Sequence, residues 1–505
     1  MIAKLINENL KLFVSFDLLI LSCLIFSVFR YKSLVLDFLL WMRRYLIEKV
    51  VKKINSTLLI FVCITFFFLA LLALYFPLGV DESYTFLNFS QKGIYASLCT
   101  YPVPNNHVLL SFISNFFYPI SKFLDSPELI RLASLSIAFI HTLLVCSFLK
   151  NNFGIYRAVA FLSFLLLLPP ILLYSFELRG YGLFIFSGSM LSILYFYKSN
   201  HKYFHLLNTI LHFIGFASNP SWLYSYLIFN ALIWVSQLNN RRFLWNSFIC
   251  QAYLIASLIL FYSPIIIFYG ADSIVNNPYV KAVPDFKLVE VWNSLKNYYF
   301  YFCGSSFIST VLLSAIFFIS LFKSKKKYLL LILPVGIALI MIVFRQYPFE
   351  RIFVGVLSFL LLFTIIHFPK LPIPNIFFSS LLLIAIGIFA SFHITHYSFF
   401  IDTRMTQVQK YLEMSINEKK VSEIYLSKGD LILNNLIVEY QWTKSNIKII
   451  PCNSLLEVDQ LISGNSIHKL IIHSDLYSRW PSPEGKGLFS IGESINSDYR
   501  SLIIE

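Results

Sequence analysis

The sequence predicts an α-helical polytopic membrane protein of about 11–12 transmembrane helices, with a small α/β domain outside the bilayer at its C-terminal end. Three observations lead there. The 505 residues are 57% hydrophobic and only 13% charged, with 53 Phe and 30 Tyr, so a water-soluble fold would leave large apolar areas wet. Apolar runs of about 20 residues, the length that crosses a hydrocarbon core, recur along the chain. The basic residues behind a net charge of +14 gather in short clusters between those runs. That is the pattern of cytoplasmic loops and not of a nucleic-acid groove. The seven cysteines contain no C-x-x-C pair, which argues against a zinc site or a disulfide framework.

In chain order, the apolar runs lie near 11–29, 57–77, 129–149, 157–175, 181–197, 203–218, 221–236, 244–269, 305–322, 328–344, 351–367 and 375–394. The first carries Asp17 and has no small-residue cleavage site, so it reads as a retained span and not a signal peptide. A carboxylate in lipid is costly, and the same segment also suits a re-entrant or interfacial helix. Between Ser33 and Ile54, apolar and basic residues alternate at helical spacing, which predicts a helix on the cytoplasmic surface against anionic headgroups. The basic clusters Arg30 to Lys53, Lys150 to Arg157, Lys198 to Lys202, Arg241–Arg242, Lys323 to Lys327 and the Lys370 turn fall in every second connection. The positive-inside rule then turns 78–128, 176–180, the Asn219–Pro220 turn, 270–304, 345–350 and everything after about residue 395 outward.

Past residue 398 the composition becomes polar. The short runs SEIYLS, NIKIIPC and HKLIIHS read as strands separated by helical stretches such as Leu455 to Ile462. With no G-x-G-x-x-G and no P-loop, this domain is assigned no nucleotide; a lid or docking surface is its expected role. The chain thus divides into 1–55 (first span and surface helix), 56–397 (transmembrane catalytic domain) and 398–505 (small external domain).

Polar residues kept at an outward mouth are functional candidates. Asp81 and Glu82, in LGVDESYTFLNFS, stand where the second span exits. Two adjacent carboxylates there cannot both ionise freely, which suits one of them to general-base work; acids also favour the first turn of a helix. Asn105, Asn106 and His107 follow a Pro-Val-Pro turn and have the donors and acceptors to bind sugar hydroxyls; the same residue types also cap helices. Arg179, in Glu177-Leu-Arg-Gly-Tyr-Gly182, is either a phosphate ligand or an interfacial side chain paired with Glu177. Arg345 and Arg351 bracket another short outward turn, where a second guanidinium invites an anionic ligand. Tyr84 and Tyr181, within the first and third of these stretches, complete the substrate-binding set.

The order of these stretches, D-E-x-Y-T at 81–85, then N-N-H, then S-P-E-L-I-R-L at 126–132 leading into a span, then E-x-R-x-Y-x-L at 177–183, resembles the GT-C membrane glycosyltransferases. Within that group it is most similar to bacterial family 39 proteins of the PMT and ArnT-like type. YPFERI before a late span also resembles a turn in those proteins. The likeness covers about residues 57–370 and is strongest over 80–182. It implies a GT-C-like fold and inverting transfer of a sugar from a polyprenyl-phosphate donor to a hydroxyl acceptor. By that analogy Asp81 is the base, Glu82 assists or holds an ion, and Arg179 and Arg351 neutralise the departing phosphate.

No cofactor is assigned. A divalent metal is left open, with Glu82 and His107 as its ligands, because the loop after 270 is poor in further His and acids. The expected partners are the lipid donor, a lipid, glycan or protein acceptor and membrane lipids, with no nucleic acid. The expected location is a bacterial inner membrane with the site on the periplasmic face. A flippase for lipid-linked glycans, or a surface polysaccharide polymerase or ligase, is the alternative reading.

Overall fold

A computed structural model of the chain describes residues 10–30, 32–44, 56–76, 78–101, 106–197, 201–275, 283, 286–303, 307–323, 328–367, 423–427, 437, 447–452, 469–474, 493–494 and 499–504. It is mostly helical. Helices α1 (Leu10–Arg30) and α2 (Lys32–Arg44) precede α3 (Ser56–Tyr75). The connection expected over 78–128 is itself built of short helices. Here α4 (Val80–Thr85) runs into a π-helical turn, followed by α5 (Ile94–Cys99), α6 (Val108–Ser114) and α7 (Tyr118–Phe123). A 3-10 turn (Pro127–Arg131) then leads into α8 (Leu132–Phe153). Next come α9 (Ile155–Leu167), α10 (Pro169–Phe176), α11 (Tyr181–Tyr197), α12 (Phe204–Ser218), α13 (Trp222–Ser236) and α14 (Arg241–Tyr269). The 270–304 connection contains α15 (Asp272–Val275) and α16 (Leu288–Phe302). After α17 (Phe307–Lys323) and α18 (Tyr328–Phe344), a 3-10 turn (Glu350–Phe353) opens α19 (Val354–His367).

Every expected span up to residue 367 falls on helix, and the one at 375–394 lies outside the described residues. Among the described residues, four stretches are long and apolar enough to cross a bilayer unbroken: Ser56–Tyr75, Pro127–Phe153, Arg241–Tyr269 and Glu350–His367. The single span expected over 157–175 is corrected. It breaks sharply between α9 and α10, because Pro169 and Pro170 donate no N–H and the residue before a proline is pushed out of the helical region. Leu168 accordingly sits at φ −94°, ψ 104°. Asp17, the costly carboxylate of α1, is 7% exposed and so turned away from the surroundings, with no hydrogen-bond partner for either oxygen among the described residues.

The centre of the bundle is α19, 78% of whose apolar window is buried, against 22% for the peripheral α14. It packs along α11 at a distance only glycines permit. A Cβ on Gly188 would strike the Gly355 carbonyl, and one on Gly355 would press Trp222 and the Phe184 carbonyl. Trp222 is fully buried there, 4.9 Å from the Phe184 ring and 6.0 Å from Phe229. Toward the far end of α19, about 15 Å from Gly355 at 1.5 Å per residue, Arg157 Nε donates to the Ile365 carbonyl at 3.0 Å. Helix α2 docks at that end through Phe38 and Trp41, which contact Tyr203 and His201 at 5.4 and 4.7 Å. It leaves Leu36, Leu39 and Leu40 exposed, as a helix lying in an interface would.

The three strands expected near the C-terminus are present as β1 (Glu423–Ser427), β2 (Lys448–Cys452) and β3 (Lys469–Ser474), joined by β4 (Glu493–Ser494) and β5 (Tyr499–Ile504). The sheet order is β2-β1-β3-β5-β4. β1 is parallel to both of its neighbours, and β5 is antiparallel to β3 and β4. Parallel neighbours need crossover connections, which agrees with an α/β pattern. The helical stretch expected at 455–462 lies outside the described residues.

Candidate functional site

Five connections that the charge pattern placed on one side come together at one end of the bundle. Glu82 and Arg131 form their foundation. Arg131 heads α8, and its guanidinium grips both Glu82 oxygens, through Nε at 2.8 Å and Nη2, with the two side chains 3% and 2% exposed. Its Nη1 donates to the Ala73 and Phe76 carbonyls at the end of α3, at 2.7 and 2.6 Å. Glu82 also accepts the Leu178 N–H at 2.7 Å and the Gly79 N–H at 2.9 Å. Four segments are thus tied by one fork: the end of α3, the start of α4, the start of α8 and the turn after α10. The last turn of α3 leaves carbonyls without helical partners, and an arginine has the donors to meet them while holding a carboxylate.

This anchoring turns the neighbouring carboxylate the other way. Asp81, 41% exposed at its side chain, faces the mouth and pairs with Arg179 Nη1 at 2.7 Å. Arg179 itself is 8% exposed. Its turn is tight, with the Arg179 N–H bonded to the Glu177 carbonyl at 2.7 Å, and it is fixed by Ser134 and Ser218 hydroxyls donating to the Glu177 and Gly180 carbonyls, each at 2.8 Å. Gly180 has to be glycine, since a Cβ there would collide with Ser218 Oγ and lie 2.9 Å from His107 Nδ1.

The buried ring of Tyr181 is the hub. The guanidinium carbons of Arg179 and Arg351 lie 5.3 and 5.9 Å from its centre. The His107 imidazole meets it edge-on at 5.3 Å, and Tyr174 at 4.8 Å. Tyr174 is joined through its hydroxyl to Tyr301 of α16 at 2.8 Å. Around this ring three buried nitrogens have no hydrogen-bond partner among the described residues: Arg179 Nε, Arg351 Nε and His107 Nε2. Asn219 has its orientation set by the Ser221 N–H bonded to its Oδ1 at 2.9 Å, so its Nδ2 faces His107 Nδ1 at 3.4 Å as a donor. The ring proton then belongs on Nε2. Burial first, then Arg179 and Arg351, holds the His107 imidazole well below its usual pKa, so it stays neutral. Three N–H donors, two of them cationic, thus gather around one ring, and donors of this kind are those an oxyanion site uses.

Glu177 adds an acid to this setting. Its Oε2 is buried without a partner among the described residues. Burial pushes its carboxyl up to about 7 against the pull of Arg179, with Glu82 and Asp81 adding to the rise. The folded chain thus keeps a proton that the unfolded chain loses near the ordinary carboxyl value of 4.5. Stability should therefore fall as pH rises from about 4.5 to about 7, and level off above. Glu177→Gln is expected to remove that slope. Thermal melts in detergent across this range should show the parent losing ground to the variant, and parallel curves would refute the assignment.

The other expected residues are placed as follows. Asn106 is fully buried, and its amide is held by the Ser97 and Thr100 carbonyls and the Ser111 hydroxyl at 2.8–2.9 Å, so it braces the α5–α6 connection. Asn105 lies outside the described residues. Tyr84, half-buried, packs on Phe89 at 5.9 Å. Arg345 is exposed at φ 51°, and its carbonyl accepts the Val283 N–H at 2.8 Å, tying the 283 and 345 connections together. The residues do not fit a metal pairing of Glu82 with His107. The oxygens of Glu82 are held by Arg131 and two main-chain N–H groups, and among the described residues no three His, Cys, Asp or Glu gather.

Arg131, Glu177, Tyr301 and Asn219 were not singled out from the sequence as site residues. Arg131 carried a usable signal, a lone arginine at the head of an apolar span. Comparison with protein-family models, with curated proteins and with solved structures finds no match.

Proposed function

We propose that this chain is a membrane glycosyltransferase of GT-C-like architecture. It would move a sugar from a polyprenyl-phosphate donor to a hydroxyl acceptor on the periplasmic face of a bacterial inner membrane. The observation that carries the reading is the meeting of an accessible carboxylate, Asp81, with a buried donor cluster of Arg179, Arg351 and His107 around Tyr181. The order of the DESYT, NNH and ELRGYGL stretches supports it.

Transfer needs two things at once. The acceptor hydroxyl must lose its proton as it attacks the anomeric carbon from the face opposite the phosphate, and the departing phosphate must be met by positive charge as the C–O bond breaks. Asp81 takes the proton. Arg179 and Arg351, with their unmatched Nε–H groups, and the neutral His107 Nε2–H receive the phosphate oxygens. Glu82 positions this arrangement without touching the ligand: held by Arg131, it fixes the start of α4 so that the adjacent carboxylate projects toward Arg179.

The purified protein, given a labelled polyprenyl-phosphate hexose and a mixture of hydroxyl acceptors, is expected to release polyprenyl phosphate with formation of one new glycosidic bond. Movement of the intact donor across a vesicle without cleavage would favour a flippase, and repeated addition of many hexoses to one growing glycan chain would favour a polymerase. Either result would overturn the proposal.

A further inference from the structure

The ion pair between Asp81 and Arg179 has a consequence for the order of binding, and it rests on the transferase reading above. Arg179 is buried, and among the described residues the negative group that forms an ion pair with its guanidinium is Asp81, at 2.7 Å. Glu177, its neighbour across the turn, is pushed up to about 7 by burial and so supplies only part of a counter-charge at neutral pH. Asp81 therefore holds Nη1 of the same guanidinium whose Nε–H a phosphate oxygen would take, and two anions would crowd one cation. The Asp81 oxygen that faces Arg179 is engaged there and is not offered to an incoming hydroxyl.

We propose that Asp81 and the phosphate of the donor compete for Arg179, so that phosphate binding releases Asp81 and only then is the base free to act. The pair acts as a plug: it gives a buried cation its counter-charge and engages a carboxylate oxygen of the base. When the phosphate arrives, Arg179 exchanges carboxylate for phosphate, and Arg351 and His107 add the two N–H groups that Asp81 does not reach. The freed carboxylate then stands at the mouth, on the side from which an acceptor hydroxyl enters. No bond is made or broken in this step. It is an exchange of one anion for another on a fixed cation, and it imposes donor-before-acceptor order.

The geometry makes a counter-intuitive demand: removing the base should strengthen binding of the phosphate. The competition comes from a half-exposed ion pair, so the gain should be about 5- to 10-fold in Kd. The experiment measures binding of farnesyl monophosphate, and separately of inorganic phosphate, to the purified full-length protein in detergent, for the parent, Asp81→Asn and Asp81→Ser. Both variants should bind farnesyl monophosphate about 5- to 10-fold more tightly than the parent. Two variants guard against one failing to fold. If inorganic phosphate shows the same gain at similar affinity, the plug is confirmed and the site recognises phosphate alone. A gain confined to the farnesyl ester identifies a lipid phosphate as the competitor.

Unchanged or weaker binding by both folded variants, with measurable binding by the parent, overturns the competition and leaves the anion site standing. If neither probe binds to any form, the phosphate role of Arg179 in the transferase reading falls, and the competition falls with it.

Discussion

Asp81→Asn protein should still fold while its transfer rate drops by about 10²–10⁴-fold, the range that a positioned general base contributes. The substitution is nearly isosteric and sits at a 41% exposed side chain, but it takes the counter-charge from the buried Arg179, so a loss of stability accompanies the loss of rate. An amide still hydrogen-bonds but cannot accept the acceptor's proton. The measurement is single-turnover transfer at saturating donor, alongside a thermal melt. Normal turnover by a well-folded variant would remove Asp81 from the chemistry, whatever else the site does.

A second large effect is expected one residue away, on stability. Arg131→Met should destabilise the protein by about 3–5 kcal/mol, because it strands a buried carboxylate. Glu82 would lose two of its four hydrogen bonds, and the Ala73 and Phe76 carbonyls would lose their donor at the end of α3. The paired change Arg131→Met with Glu82→Leu should recover part of the loss, since replacing both members of a buried ion pair with apolar residues is far less costly than removing one. Denaturation in detergent tests this, and a double variant no better than the single would show that the carbonyl bonds, not the ion pair, carry the stability. The two adjacent acids are therefore separable by assay: Asp81 chiefly by rate, Glu82 by melting.

The sequence carried the helical part of the fold well, because bilayer thickness translates directly into the length of apolar runs, and loop charges mark alternate connections. It missed what happens inside the connections. The short helices of 78–128 are too brief to show a period, and the break at Leu168 was hidden because Phe164–Leu168 and Ile171–Leu173 read as one apolar run if the two prolines are passed over.

For the site, residue types at the mouth were legible but their division of labour was not. Asp81 and Glu82 look alike in sequence, and only the position of Arg131, 49 residues on, separates an anchoring acid from an accessible one. The same holds for Asn106, whose amide is taken up by local carbonyls. In the sequence Glu177 reads only as a companion to Arg179, because its distance from water depends on packing that a linear reading does not contain.

The contact of Gly188 with Gly355 reaches further than the core it closes. Arg179 lies just before α11 and Arg351 just before α19, so the two cations ride at the heads of the two helices that these glycines press together. Gly188 is seven residues past Tyr181, about 10 Å along the axis. The gap between the charged groups is thus gauged by a seam of two glycines that lie further into the bundle and touch neither cation.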